Sequence, residues 1–163
     1  MKTSIRLAVS LTLFSIFAVT AVAKDLKIKW RGTVEFKDLE QAKKDAVSEK
    51  KFLTILVSNA KYDSDTQGAQ ATVDVIEDTI KGLKSSSIIV RSSVDQIRGL
   101  TAGEPFNTAA SEGFQKAGNS LPMIIIINPA TNKLVKVIQP NDVHQEGSKA
   151  FRDIKKAARD LKK

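Results

Sequence analysis

The chain has 163 residues, 26 lysines and arginines against 18 acidic residues, and a formal charge of +8. It contains no cysteine, which excludes a disulfide staple and any thiol–disulfide chemistry. Its length suits one domain around a single core rather than a multidomain protein.

The first residues read as a targeting segment. Lys2 and Arg6 precede an apolar run, Leu7 to Val22, broken only by Ser10, Thr12, Ser15 and Thr20. Ala21-Val22-Ala23 then offers the small residues that signal peptidase needs, with the charged Lys24-Asp25 beyond. This predicts a signal peptide over 1–23, cleavage after Ala23, and a periplasmic or secreted mature domain, 24–163. A retained anchor is the alternative, because about twenty apolar residues span a bilayer. No later stretch has that length, so no stable membrane insertion is expected after cleavage. Removing Lys2 and Arg6 leaves 24 basic against 18 acidic residues, a mature charge of +6. Such a surface steers toward anionic envelope components or acidic proteins, although many exported proteins are basic without such a partner. Export also separates the chain from the usual nucleic acids, so no nucleic-acid partner is expected.

Leu26, Ile28 and Trp30 alternate with Lys27, Lys29 and Arg31, the pattern of a half-buried strand ended by Gly32. Phe36, Leu39, Ala42, Ala46 and Val47 recur at helical spacing, with Lys37, Glu40, Lys43 and Lys44 on the other face. Phe52 to Val57 is short, apolar and β-branched, as a buried strand should be. A polar stretch from Ser58 to Gln67 follows. Ala69, Val73, Ile76, Ile80 and Leu83 then mark the most regular helix, with Gly82 near its end. Ser87 to Val90 predicts another buried strand, leaving through Arg91 and Ser92. Residues 93–104 show no convincing period. Phe106 to Ala117 predicts a helix with Phe106, Ala109, Ala110 and Phe114 inward and Gly118 as its stop. Pro122 opens the most apolar run after the leader, Met123 to Ile127, which suits a strand covered on both faces. The turn residues Asn128 to Asn132 lead into Leu134, Val135, Val137 and Ile138, completing a hairpin. Phe151, Ile154, Ala158 and Leu161 mark one face of a C-terminal helix whose basic residues lie largely outside it. The order β-α-β-α-β-α-β-β-α predicts an α/β three-layer sandwich with a mixed central sheet.

Several stretches resemble the thioredoxin-like fold superfamily across about Leu26 to Leu161. Trp30 stands before the first helix. Lys50-Lys51 leads into the buried run Phe52–Val57, and Gly118-Asn119-Ser120-Leu121-Pro122 leads into the isoleucine run and Asn128-Pro129. The resemblance implies a cis Leu121–Pro122 bond packed against an active loop after Val57. A redox relative carries a thiolate there at a helix N-terminus and a resolving thiol three residues on. Here the loop reads Ser58-Asn59-Ala60-Lys61-Tyr62-Asp63-Ser64-Asp65, with Tyr62 and Asp65 near the cysteine positions. The strand before it also lacks a buried carboxylate. The resemblance therefore implies a redox-inactive, non-enzymatic member that binds a protein or peptide, or serves as an accessory factor in the cell envelope. Its expected groove is lined by Lys61, Tyr62, Asp63, Asp65, Leu121 and Pro122.

Other chemistry has weaker support. Asp63 and Asp65 with Ser58, Asn59 and Ser64 are hard oxygen ligands, but capping of the next helix is the simpler role. An enzyme using non-thiol or metal-assisted chemistry in the Asn59–Asp65 loop is the alternative function. His144, flanked by Asp142 and Glu146, is the single histidine and lacks the companions of a zinc set. Neither glycine-rich nucleotide motif occurs. No catalytic residue, metal site or cofactor is assigned. The basic residues of the last helix read most simply as its solvated side.

Overall fold

The computed structural model describes residues 28–58, 67–101 and 103–163, with only the backbone described over 67–70. The predicted leader and the loop residues Lys61, Tyr62, Asp63 and Asp65 lie outside that set. Among the described residues five strands, β1 (Thr33–Glu35), β2 (Phe52–Val57), β3 (Ser87–Ser92), β4 (Met123–Asn128) and β5 (Lys133–Ile138), form one sheet in the order β1-β3-β2-β4-β5. β1 and β2 both run parallel to β3. β4 is antiparallel to β2, and β5 is antiparallel to β4. Among the described residues six α-helices accompany the sheet: α1 (Leu39–Ser48), α2 (Gln67–Leu83), α3 (Val94–Arg98), α4 (Pro105–Ala117), α5 (Pro140–Glu146) and α6 (Arg152–Asp160).

Alternation along the strands explains the layering. Leu53, Ile55 and Val57 of β2 and Met123, Ile125 and Ile127 of β4 meet Leu39, Ala42 and Ala46 of α1 and Phe106, Ala109 and Ala110 of α4. Phe52, Leu56, Ile124 and Ile126 point the other way, against Val75, Ile76, Ile80 and Leu83 of α2 and Phe151, Ile154 and Ala158 at the C-terminus. A central strand must satisfy both faces, which is why FLTILV and MIIII read as unbroken apolar runs. The α/β sandwich with a mixed sheet agrees with the sequence reading, and the Leu121–Pro122 bond is cis.

Several local expectations need correcting. Alternation at Leu26–Arg31 predicts the first strand, yet the described part of that segment, from Ile28, is irregular, and β1 lies at Thr33–Glu35. Ile28 and Trp30 pack on the core beneath α2 without pairing in the sheet. Gly32, at φ 85°, stands before the strand rather than after it. Val47 is 47% exposed, because it sits about 100° round the helix from Ala46, beyond the stripe of Leu39, Ala42 and Ala46. Phe36 belongs to a 3-10 turn, Phe36–Asp38, and is half-buried. Residues 93–104, which show no period, contain α3, and α5, which carries His144, was not among the predicted helices.

Candidate functional site

The parallel strands all end on one side of the sheet, the side on which α/β folds commonly bind ligands. β1 ends there at Glu35, β2 at Val57 and β3 at Ser92, while antiparallel β4 begins there at Met123. Val57 pairs with Met123, so Pro122 stands beside Ser58, where the polar loop leaves β2. The Ser58 N–H donates to the Ser92 carbonyl at 2.9 Å, extending the β2–β3 ladder by one residue. Both serines are buried.

The next connection is fixed by its own polar groups. Ser93 Oγ accepts from the Gln96 N–H at 3.3 Å, and Gln96 Oε1 accepts from the Ser93 N–H at 2.9 Å. This reciprocal pair satisfies two donors at the start of α3. Ser92 Oγ donates to the Ser93 carbonyl at 3.1 Å.

Leu121 and Pro122 are both described. A shallow depression of about 570 Å³ opens beside Leu121, lined by Ala117, Gly118, Asn119, Ser120, Leu121, Gln139, Pro140 and Asn141. Two helix termini build it. α4 ends at Ala117, and Gly118 turns the chain at φ 68°, a left-handed value that a glycine adopts without strain. On the other wall Pro140 opens α5, where its lack of an N–H is harmless. The Gln139 N–H donates to Asp142 Oδ2 at 3.1 Å, and Gln139 Nε2 reaches the Ala117 carbonyl at 3.4 Å, tying the walls together. Among the described residues, Ser120 and Leu121 make no backbone hydrogen bond.

Among the described residues, no titratable side chain lines this depression. Its chemistry is that of amides, one hydroxyl, open backbone groups and the apolar surface of Leu121 and Pro140. Groups of this kind can pair with an extended backbone or a polar amide. No protein-family model and no curated protein matches this chain.

Of the residues singled out in the sequence, Leu121 lines this depression, whereas Pro122 is buried and does not; Gly118, Asn119, Ser120, Gln139, Pro140 and Asn141 were not among the site candidates. One signal for the second group was available: Gln139, Pro140 and Asp142 carry the composition of a helix start.

Two other depressions lie elsewhere. One of about 330 Å³ gathers Asp74, Glu77 and Asp78 of α2 with His144 and Val143 of α5. Among the described residues no three His, Asp or Glu side chains are arranged to hold a metal ion. The other, about 570 Å³, lies at the opposite end of the sheet and takes in Lys43, Val47, Phe106 and Pro129. Lys43 Nζ sits 4.6 Å above the Phe106 ring there, and bonds Glu40 at 3.0 Å.

At the end of β1, Lys37 Nζ lies 2.9 Å from Glu35, and Arg91 of β3 bonds the same carboxylate. These two cations, Lys37 foremost, hold the Glu35 carboxyl below the usual glutamate range. Glu35 in return raises the Lys37 ammonium. The Arg91 guanidinium also stands 5.7 Å from the Trp30 ring. Among the described residues no helix is long and apolar enough to cross a membrane.

Proposed function

We propose that this chain is an exported, redox-inactive thioredoxin-like domain that binds an extended segment of a protein or peptide beside Leu121–Pro122. The observation that carries the reading is the sheet order β1-β3-β2-β4-β5, with three parallel strands and a terminal antiparallel pair. Pro122 stands where β4 begins beside the end of β2, and the chain has no cysteine anywhere. Thiol exchange is thereby excluded, while the open backbone of Ser120 and Leu121 offers the groups a bound strand would pair with. The groove that the resemblance implies also includes Lys61, Tyr62, Asp63 and Asp65, which lie outside the described residues.

The test is selection from a random peptide library on the folded chain, followed by amide chemical-shift mapping of an enriched peptide. Shifts should cluster at Gly118–Leu121 and Gln139–Asn141, and Leu121→Lys should weaken binding at least about tenfold by blocking apolar contact. Peptides whose shifts map to another face, or that bind Leu121→Lys undiminished, would overturn the assignment, as would failure to enrich any peptide.

A further inference from the structure

Charge is unevenly distributed along the chain. Residues 28–132 hold 13 basic and 13 acidic side chains, whereas 133–163 hold nine basic and four acidic. The surplus of five is concentrated in one place in the fold. Arg152, Lys155, Lys156 and Arg159 stand at i, i+3, i+4 and i+7 on α6, which puts them on one stripe. Lys162 and Lys163 follow in the next turn. Ile154 and Ala158 occupy the buried side of the same helix.

The acidic neighbours do not cancel this stripe. Asp160 is held by Lys163 at 2.7 Å, and Asp153 lies 3.8 Å from Lys136 on the edge strand β5. Among the described residues, none of Arg152, Lys155, Lys156 and Arg159 has an ion-pair partner within 4.0 Å.

We infer that this α6 face docks peripherally on an anionic lipid bilayer, with headgroup phosphates as its partner. With Lys162 and Lys163 added to the stripe, four of its six cations are lysines, hydrated point charges suited to a diffuse anionic surface. No aromatic ring is exposed among them: Phe151 is fully buried, and 133–163 contain no Trp or Tyr. The face therefore lacks the stacking platform of a nucleic-acid site and the aromatic anchor of a typical protein interface. A headgroup lattice needs neither, only one-sided charge, with roughly a fivefold gain in partitioning for each Lys or Arg at the surface. The neutral remainder orients the molecule with α6 toward such a surface. The sequence also carries the apolar run Leu7 to Val22, of the kind that delivers a chain to a bilayer.

The test is co-sedimentation of the full chain with vesicles of phosphatidylcholine alone and of phosphatidylcholine with roughly one-third phosphatidylglycerol. The triple variant Lys155→Gln/Lys156→Gln/Arg159→Gln is compared with Lys44→Gln/Lys81→Gln/Lys84→Gln, which removes the same charge from other exposed sites. Wild type should show phosphatidylglycerol-dependent binding that falls with salt. The α6 variant should lose on the order of a hundredfold of it, and the control variant should not. Binding to phosphatidylcholine alone reports the N-terminal run and should be equal in all three. Circular dichroism checks folding; if the triple variant unfolds, Lys162→Gln/Lys163→Gln replaces it, with a smaller loss expected. Absence of a phosphatidylglycerol-dependent component, or equal loss in the control, overturns the inference. So does binding to a soluble polyanion such as heparin or duplex DNA with none to the vesicles.

Discussion

Gly113 lies midway along α4 on the side facing the sheet, and alanine at that position sets two effects of known sign against each other. Helix propensity favours the substitution by about 1 kcal/mol, because glycine loses more backbone entropy on folding. Packing opposes it. A Cβ built on Gly113 would stand 2.3 Å from Cγ2 of Ile125 and 3.1 Å from Cδ1 of Leu134, where carbon atoms ordinarily approach no closer than about 3.5 Å. The nearer atom is a methyl directly on the Cβ of a fully buried isoleucine, in a strand hydrogen-bonded on both sides. It cannot swing away as the tip of a long side chain would. Relief therefore requires α4 to lift by about an ångström, loosening its contacts through Phe106, Ala109 and Ala110. Overpacking of this kind costs about 3 kcal/mol at the upper end of the usual range, leaving a net loss near 2 kcal/mol after the propensity gain. For a domain of this size, thermal unfolding by circular dichroism should shift down by roughly 5–8 °C. A Gly113→Ala protein that melts at or above the wild-type temperature would refute the close packing of α4 on β4.

Two further perturbations test the interior and the surface. Thr54 is fully buried in β2, and among the described residues its hydroxyl has no hydrogen-bond partner; Thr54→Val keeps the shape, removes the stranded oxygen, and should raise stability by about 1 kcal/mol in urea unfolding, whereas a loss would show that the hydroxyl is satisfied. Glu35 has its pKa lowered in the fold by Lys37 and then Arg91, so its stabilisation is present above the unfolded-state value and disappears as pH falls through the folded one. The Glu35 carboxyl should therefore titrate by NMR below an ordinary glutamate and move upward in Lys37→Ala. Any difference in stability between wild type and Glu35→Gln at neutral pH should be small, salt-sensitive and absent in acid.

The two strands buried on both faces were the easiest elements to read, because five or six consecutive apolar or β-branched residues leave few alternatives. The helical stripe Val73, Ile76, Ile80 and Leu83 was equally plain, and all four residues are buried. β1 was misplaced for a physical reason: three residues, Thr33 to Glu35, are too few to display a period. The alternation upstream describes any extended segment that lays every second side chain on a core, as Ile28 and Trp30 do without sheet pairing. α3 spans five residues, little more than one turn, so periodicity could not expose it. Its sequence signature was the cap, Ser93 followed three residues later by Gln96.

The candidate site divides along the same line. Leu121 and Pro122 are legible because a proline at the mouth of an apolar run is locally unusual, whereas the opposite wall comes from the start of α5, some twenty residues further on. Only the antiparallel β4–β5 pairing, Ile124 against Ile138, folds Gln139 back beside Ala117. Non-local pairing of this kind assembles polar residues that carry no pattern of their own, so a depression built from amides and open backbone leaves almost no trace in the chain order. The basic face of α6 is the converse case. Its residues are obvious in sequence, and its charge surplus can be counted there. What the fold adds is the pairing: Asp153 lies near Lys136 and Asp160 is held by Lys163, while Arg152, Lys155, Lys156 and Arg159 make no ion pair within 4.0 Å among the described residues. Charge that a fold leaves unpaired on one side, on an otherwise neutral body, orients the molecule toward an anionic surface. The two proposed sites then divide the labour, with the Leu121–Pro122 depression recognising a segment and α6 setting where that recognition takes place.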